Sequence, residues 1–168
     1  MKRLQLLRHA KSSWKEGDLP DRERPLAPRG RRATVLLSAH LREEQVAPEV
    51  VLCSVARRAR ETLEGIAPAL GDGAMILIED ELYGASAASL LERLRALPDE
   101  VDRAMLVGHN PALQQLVVAL ARPGPFRVRV EAKYPTGALA TLTFDGRWSE
   151  LEAESASLAG YVTPKDLR

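Results

Sequence analysis

The segment that decides the fold is LQLLRHAKSSW, residues 4–14, in which a short apolar run ends at Arg8-His9. Three further runs of similar length follow, at residues 50–53, 75–78 and 104–107. None of them alternates between apolar and polar residues, which is typical of strands buried on both faces of a parallel sheet covered by helices. These runs therefore predict an α/β fold with a mostly parallel central sheet.

Helical patterns separate the runs. Apolar residues recur at the i, i+3, i+4, i+7 spacing of one helix face in four stripes, which begin at Ala33, Ala59, Leu90 and Leu113. The pair Asn110-Pro111 predicts the start of the fourth helix, with asparagine as the cap and proline at the first helical position. Helices between successive strands agree with a parallel sheet that is covered by helices.

The last third of the chain has a different pattern. Val128 and Val130 alternate with charged residues, and Leu139, Leu142 and Phe144 lie in a threonine-rich run. We interpret both segments as strands near an edge of the sheet, one of them antiparallel. Residues 163–168 are interpreted as a tail, and no linker divides the chain, so residues 1–168 are predicted to form one domain.

Composition excludes several classes of protein. The net charge is +1 and aromatic residues make up only 4%, which argues against a nucleic-acid partner. No apolar segment approaches the roughly 18 residues that span a bilayer, so no membrane partner is expected. The single cysteine, Cys53, excludes an intrachain disulfide, and we expect a cytoplasmic protein.

Polar side chains follow three of the predicted strands. Arg8-His9 follows the first strand, Arg58 lies in the helix after the second, and His109-Asn110 follows the fourth run. Because the carboxyl ends of parallel strands meet at one edge of a sheet, two arginines and two histidines are expected to converge there. Together with two helix N-termini they predict a pocket for a tetrahedral dianion such as phosphate.

The two histidines indicate a reaction as well as binding. Near arginines an imidazole is driven toward its neutral form, so one histidine can attack phosphorus while the other donates to a phosphoryl oxygen. The sequence contains no Cys pair, no His-Glu-x-x-His and no Gly-rich nucleotide loop. The predicted chemistry therefore uses no metal and no cofactor.

These motifs resemble the histidine phosphatase superfamily, the phosphoglycerate mutase-like group. The resemblance is carried by Arg8-His9-Ala10, by Ser54 followed by Arg58 and Thr62, and by the Gly-His-Asn-Pro segment at residues 108–111. The Lys-Ser-Ser-Trp segment after Ala10 is similar to the SixA-like phosphohistidine phosphatase branch. The resemblance covers nearly the whole chain and implies a three-layer α/β/α sandwich.

The resemblance implies roles for individual residues. His9 would be the nucleophile, with Arg8, Arg58 and His109 holding the phosphoryl oxygens. Ser12 and Asn110 are candidates for further contacts to the substrate. Many relatives use a glutamate near the third strand as proton donor; Glu79, Asp80 and Glu81 occupy that region here, and we take Glu81 as the candidate.

Several functions remain open from the sequence. The leading hypothesis is a phosphatase for phosphohistidine on proteins, which releases inorganic phosphate through phospho-His9. The first alternative is a phosphatase for a small phosphomonoester such as a sugar or nucleotide phosphate, and short loops favour the protein substrate. A mutase is disfavoured because it needs an enclosed site. The remaining alternative is a phosphate- or phosphoprotein-binding module without catalysis.

Overall fold

The structure, a computed structural model, describes residues 1–168 and contains six strands in one sheet. The strands are β1 (Lys2–Arg8), β2 (Val50–Ser54), β3 (Met75–Glu79), β4 (Arg103–Gly108), β5 (Leu139–Phe144) and β6 (Ser157–Val162). Their order across the sheet is β3-β2-β4-β1-β5-β6. The four strands predicted from apolar runs in the first two thirds of the chain are all present.

The sheet is mostly parallel, as predicted. Strands β1 to β4 pair in parallel, with Leu4 opposite Ala104 and Val51 opposite Met105. Strand β5 runs antiparallel to β1, and β6 pairs antiparallel with β5 at the edge of the sheet. The strand that runs against β1 to β4 is thus β5, the second strand from this edge of the sheet.

Five helices cover both faces of the sheet. They are α1 (Pro28–Glu43), α2 (Arg57–Ile66), α3 (Ala87–Arg95), α4 (Ala112–Leu120) and α5 (Pro125–Ala132). Successive residues of a strand point to opposite faces, so Leu6 packs in the core beneath α3 and α4, whereas Leu7 packs in the core beneath α1 and α2. Each core is closed by a helical stripe, for example Leu37 with Leu41 on one face and Leu113 with Leu116 on the other. The predicted α/β/α sandwich is confirmed.

Strand β3 departs from the prediction of burial on both faces. Met75, Ile76 and Ile78 are 61%, 46% and 46% exposed. The reason is topological, because β3 pairs only with β2 and forms an edge of the sheet. A run of apolar residues shows that a segment is a strand, but it does not show whether that strand is central.

The strand predicted around Val128 and Val130 is wrong, because these residues belong to α5. Val130 is fully buried and Val128 is 65% exposed. Two residues separated by two positions would share a face in a strand, but they point in nearly opposite directions in a helix. Pro125 at the first helical position was the signal for a helix here.

Two smaller details also differ. Helix α4 begins at Ala112, so Pro111 precedes the helix rather than opening it. The segment interpreted as a tail forms a short 3-10 helix, Pro164–Leu167, in which Asp166 and Thr163 cap each other. Leu167 packs against the core beneath α1. No helix is both long enough and apolar enough to cross a membrane.

Candidate active site

The ends of three parallel strands bring the predicted residues together. Arg8 lies opposite Gly108 in the β1–β4 register, and the amide of His9 donates to the carbonyl of Gly108 over 3.0 Å. A cavity of about 460 Å³ opens at this edge. Six predicted residues line it, namely Arg8, His9, Ser12, Arg58, His109 and Asn110.

His9 is held as a neutral imidazole with a free Nε2. Its side chain is buried, with 6% exposure, and Nδ1 lies 2.8 Å from the carbonyl oxygen of Ala10. Because a carbonyl can only accept, Nδ1 carries the proton and Nε2 keeps its lone pair. Burial lowers the pKa of His9 to about 3, opposed by the Ala10 hydrogen bond and reinforced by His109, Arg58 and Arg8. This is the form in which a histidine acts as a nucleophile.

The second histidine is held by a buried serine. The Nε2 atom of His109 lies 2.7 Å from the hydroxyl of Ser54, which is fully buried and also accepts from the amide of Ala56 over 3.2 Å. The hydroxyl proton of Ser54 therefore has only His109 Nε2 to donate to. Nδ1 of His109 then carries a hydrogen and is a donor for a ligand.

The two histidines are close neighbours and both are neutral. Their ring centroids are 5.2 Å apart. The pKa of His109 is lowered to about 4, mainly by burial and also by the positive charges of Arg58 and Arg8, while Asp21 opposes these effects. An anion entering the cavity thus meets a lone pair on His9 and a donor on His109.

The two arginines supply the positive charge of the cavity. Nη1 of Arg8 donates to the carbonyl of Tyr134 over 3.0 Å, and its Nη2 has no acceptor in the protein. Burial lowers the pKa of Arg8, and the charge of Arg58 adds to the effect. The Nε atoms of Arg8 and Arg58 are buried and have no acceptor. Arg8 forms no ion pair and Arg58 has Asp21 as its one acidic partner, so the cavity retains positive charge that favours the binding of an anion.

Asp21 is a residue of the site that the sequence analysis did not identify. It opens a short 3-10 helix, Asp21–Glu23, in the loop before α1, and its carboxylate accepts from Arg58 Nη2 over 3.0 Å and from the hydroxyl of Tyr83 over 2.6 Å. Its carbonyl accepts from Arg58 Nη1 over 2.7 Å. The Tyr83 hydrogen bond, then those of Arg24 and Arg58, lower the pKa of Asp21 well below its usual range, so the carboxylate is ionised. No sequence motif identifies Asp21, because it is one of several charged residues in this loop.

Ser12 and Asn110 line the cavity but are already engaged with the protein. The hydroxyl of Ser12 accepts from Arg24 Nη1 over 2.8 Å and retains its own proton for donation. The amide of Asn110 donates to the carbonyl of Tyr134 over 3.0 Å. The Arg24 guanidinium also stacks on Trp14, 3.5 Å from the ring centroid, at the rim of the cavity.

The structure does not bring Glu81 to the cavity. Its side chain is exposed and is absent from the lining. Glu79 is paired with Arg93 over 2.8 Å, and Asp80 with Arg22 over 3.2 Å. The chain after β3 does reach the cavity, through Tyr83 and Gly84, but Glu81 lies in the short 3-10 helix Asp80–Leu82 with its side chain exposed. No group of three His, Cys, Asp or Glu side chains is arranged to hold a metal ion.

The lowered pKa of His9 predicts a specific effect of acid on stability. In the unfolded chain His9 titrates near pH 6.5, whereas in the folded protein its pKa is about 3. Between these values the unfolded state binds a proton that the folded state does not, so stability falls as the pH falls. Near pH 4.5 the loss is about 2–3 kcal/mol.

The variant His9→Asn removes this titration. Between about pH 7.5 and about pH 4.5, the unfolding free energy of wild type is expected to fall by about 2–3 kcal/mol more than that of the variant. Urea unfolding of both proteins at the two pH values measures the difference. An equal acid-induced loss in wild type and variant would show that His9 is not held neutral.

Known proteins share both the fold and the sequence. Residues 4–85 match the histidine phosphatase superfamily (branch 1). An uncharacterized protein of Mycobacterium leprae is 38% identical over 165 residues, covering 95% of this chain and 100% of that protein. A Nakamurella multipartitia structure assigned as phosphohistidine phosphatase SixA is 29% identical, with a TM-score of 0.85, covering 97% of this chain and 96% of the other. One from Agrobacterium tumefaciens with the same assignment is 28% identical, with a TM-score of 0.82, covering 97% and 98%.

The sequence match over residues 4–85 and the structural match over 97% of the chain define a phosphoryl-handling enzyme, and the chain belongs to the histidine phosphatase superfamily. Within the superfamily it falls in the SixA-like branch. It is accordingly a phosphatase, and its substrates are phosphorylated molecules.

Proposed function

We propose that this phosphatase removes the phosphoryl group from phosphohistidine on proteins, through a phosphoenzyme on His9. The observation that carries the proposal is the lack of a proton donor among the carboxylates of the cavity. Asp21 is the one carboxylate in the lining, and its pKa is lowered by hydrogen bonds from Tyr83, Arg24 and Arg58. An ionised carboxylate cannot protonate a leaving group.

The nature of the leaving group then separates the substrate classes. An alkoxide leaving from a phosphoester needs a proton as the P–O bond breaks. The imidazole of phosphohistidine can be protonated before its P–N bond breaks, so it leaves as neutral imidazole without help from the enzyme. The assignment of the two SixA-type structures as phosphohistidine phosphatases supports the same substrate class.

The proposed reaction has two steps. Nε2 of His9 attacks phosphorus in line, the P–N bond to the substrate breaks, and the pair of electrons leaves on the substrate imidazole. Arg8, Arg58 and Nδ1–H of His109 hold the three nonbridging oxygens as charge redistributes. Water then attacks phospho-His9, the phosphoryl group leaves as inorganic phosphate, and His9 returns to its neutral form.

The remaining lining residues have supporting roles in this proposal. The free hydroxyl proton of Ser12 is a further donor to the phosphoryl group. Asn110 forms part of the cavity wall, because its side-chain amide is already hydrogen-bonded to the carbonyl of Tyr134 and to the backbone amide of Gln114. Glu81 takes no part, because it does not reach the cavity.

A small phosphomonoester is the second candidate substrate. The cavity volume of about 460 Å³ lies within the range of about 300–1,000 Å³ that is usual for small-molecule sites. The cavity would therefore admit a sugar or nucleotide phosphate, although it contains no carboxylic acid to protonate the leaving oxygen.

A direct comparison of substrates tests the proposal. Wild type is assayed on a phosphohistidine-bearing protein and on glycerol phosphate, an alkyl phosphoester whose alkoxide leaving group needs a proton, in chelator and without added metal. We expect kcat/KM to be about 100-fold or more higher for phosphohistidine, the size of effect that one general acid contributes to ester cleavage. Preference for the ester would instead support the metabolite phosphatase.

A further inference from the structure

A second, larger cavity lies beside the catalytic one. Its volume is about 1380 Å³, and it adjoins the catalytic cavity at Lys11 and Thr136, which line both. Its walls come from the first two turns of α1, the C-terminal end of α5 and the short helix Pro164–Leu167. We call it the basic groove.

The charge of the groove is unbalanced. Asp166 is the only acidic residue in its lining, and it is paired with Arg129 over 2.9 Å. Six other basic side chains in the lining form neither an ion pair nor a hydrogen bond within the protein, namely Lys11, Arg29, Arg32, Lys133, Lys165 and Arg168. The whole protein has a net charge of only +1, so positive charge is concentrated at this site. A concentration of this kind attracts and orients an anionic partner.

Two of these cations occupy an unfavourable place in the fold. Arg29 and Arg32 lie at the N-terminal end of α1, and the first turn of that helix contains no acidic residue. The N-terminal end of a helix carries partial positive charge and favours acidic side chains. Neither arginine is neutralised by the protein, so an external anion would relieve the repulsion at this end of α1.

The shape and the apolar lining favour a protein partner over a small anion or a nucleic acid. The groove is larger than the usual range of about 300–1,000 Å³ for small-ligand sites. Apolar groups lie between the cations, including Val35 at 69% exposure and the half-buried rings of Pro135 and Pro164. Tyr161 is the only aromatic residue in the lining and is 3% exposed, which leaves no platform for stacking bases.

We propose that the basic groove is the docking surface for an acidic face of the protein whose phosphohistidine enters the catalytic cavity. This inference rests on the proposed function, because it names what surrounds the phosphoryl group on its substrate. Lys11 joins the two sites, so a partner can present its phosphohistidine to His9 while its carboxylates lie along α1. The groove would select among phosphohistidine proteins by charge, which the catalytic cavity alone does not do.

The test uses two peptides that differ only in flanking charge. Each carries one phosphohistidine, flanked in one peptide by glutamates and in the other by glutamines. For wild type at low ionic strength, kcat/KM is expected to be about tenfold higher for the glutamate peptide, mainly through KM, and the difference should shrink as salt is added. Equal values for the two peptides would overturn the docking proposal.

A matched pair of variants assigns the effect to the groove. Arg29→Gln/Arg32→Gln removes two exposed, unpaired arginines of the groove, and Arg3→Gln/Arg42→Gln removes two exposed, unpaired arginines elsewhere. The first should abolish the preference for the glutamate peptide and leave turnover of p-nitrophenyl phosphate unchanged. The second should preserve the preference. An equal loss of preference in both variants would show that it depends on the net charge of the protein rather than on the groove, and would overturn the proposal.

Binding separates failure of docking from failure of the proposed function. The unphosphorylated glutamate peptide is expected to bind wild type about tenfold more tightly than the glutamine peptide, whether or not phosphohistidine is hydrolysed. No turnover of either phosphopeptide, with this binding difference intact, would refute the proposed function alone. Tighter binding of single-stranded DNA than of the glutamate peptide would identify a nucleic-acid surface instead. A salt-sensitive dimer of wild type, lost in Arg29→Gln/Arg32→Gln, would identify a second copy as the occupant, and either result would overturn the proposal.

Discussion

Replacing His9 by asparagine is expected to lower kcat on a phosphohistidine protein by about 10⁴-fold or more, because the variant has no nucleophile for phosphorus. Asparagine can still donate to the carbonyl of Ala10, as Nδ1 of His9 does over 2.8 Å, so the local backbone should be retained. The second readout is the phosphoenzyme. Brief exposure of wild type to a radiolabelled substrate should transfer acid-labile phosphate to the protein, and the variant should acquire none.

His40 provides the control for this experiment. It is the third histidine of the chain, half-buried on α1 and absent from the catalytic lining. His40→Asn should keep both activity and labelling. If His9→Asn still forms a phosphoenzyme, the nucleophile is another residue. If wild type binds inorganic phosphate but turns over neither phosphohistidine nor p-nitrophenyl phosphate, the proposed catalysis is refuted and a phosphate-binding module takes its place.

The convergence of Arg8, His9, Arg58 and His109 was predictable because it depends on topology alone. Parallel strands end at the same edge, so residues just beyond β1, β2 and β4 meet wherever those strands are neighbours. Their order β2-β4-β1 in the sheet satisfies that condition.

Asp21 and Ser54 show what the sequence does not reveal about the site. The contact between Asp21 and Arg58 joins residues separated by 37 positions, and it depends on the path of a loop rather than on any periodic pattern. Ser54 was visible at the end of its strand, but its effect on the tautomer of His109 depends on a 2.7 Å distance between side chains.

The errors in the fold have the same physical origin. A two-residue alternation such as Val128 and Val130 is compatible with a strand, and only packing decides which of two valines is buried. The misplacement of Glu81 follows from the 3-10 helix Asp80–Leu82, which leaves Glu81 exposed while Tyr83 and Gly84 reach the cavity. A local pattern indicates that a strand ends near this position, but it does not show which side chains after the strand point into a cavity, and the choice of proton donor depended on that.

Replacing Arg58 by alanine is the second large effect that we expect. Arg58 is 7% exposed and lies on the first turn of α2, within the catalytic lining. Its loss should lower kcat/KM by about 10²–10³-fold, the usual consequence of removing one preorganised donor to a developing charge. Arg57→Ala is the matched control, because Arg57 is the preceding residue of the same helix, pairs with Glu61 over 3.1 Å and does not line the cavity. It should retain activity, and equal losses in the two variants would mean that α2 is disturbed rather than that a donor is missing.

A double-mutant cycle between Arg58 and its partner Asp21 tests whether Asp21 acts by orienting the Arg58 guanidinium. Asp21 accepts from both terminal nitrogens of Arg58, through its carboxylate and its carbonyl, and so orients the guanidinium. Asp21→Asn is expected to lower kcat/KM by about tenfold in wild type, since a neutral amide holds Arg58 less firmly. In the Arg58→Ala background the same change should cost almost nothing, because two residues that act through one contact are not additive. Measuring kcat/KM for the four proteins of this cycle decides the point: an Asp21→Asn loss of the same size in both backgrounds would show that Asp21 acts on the substrate directly and does not position Arg58.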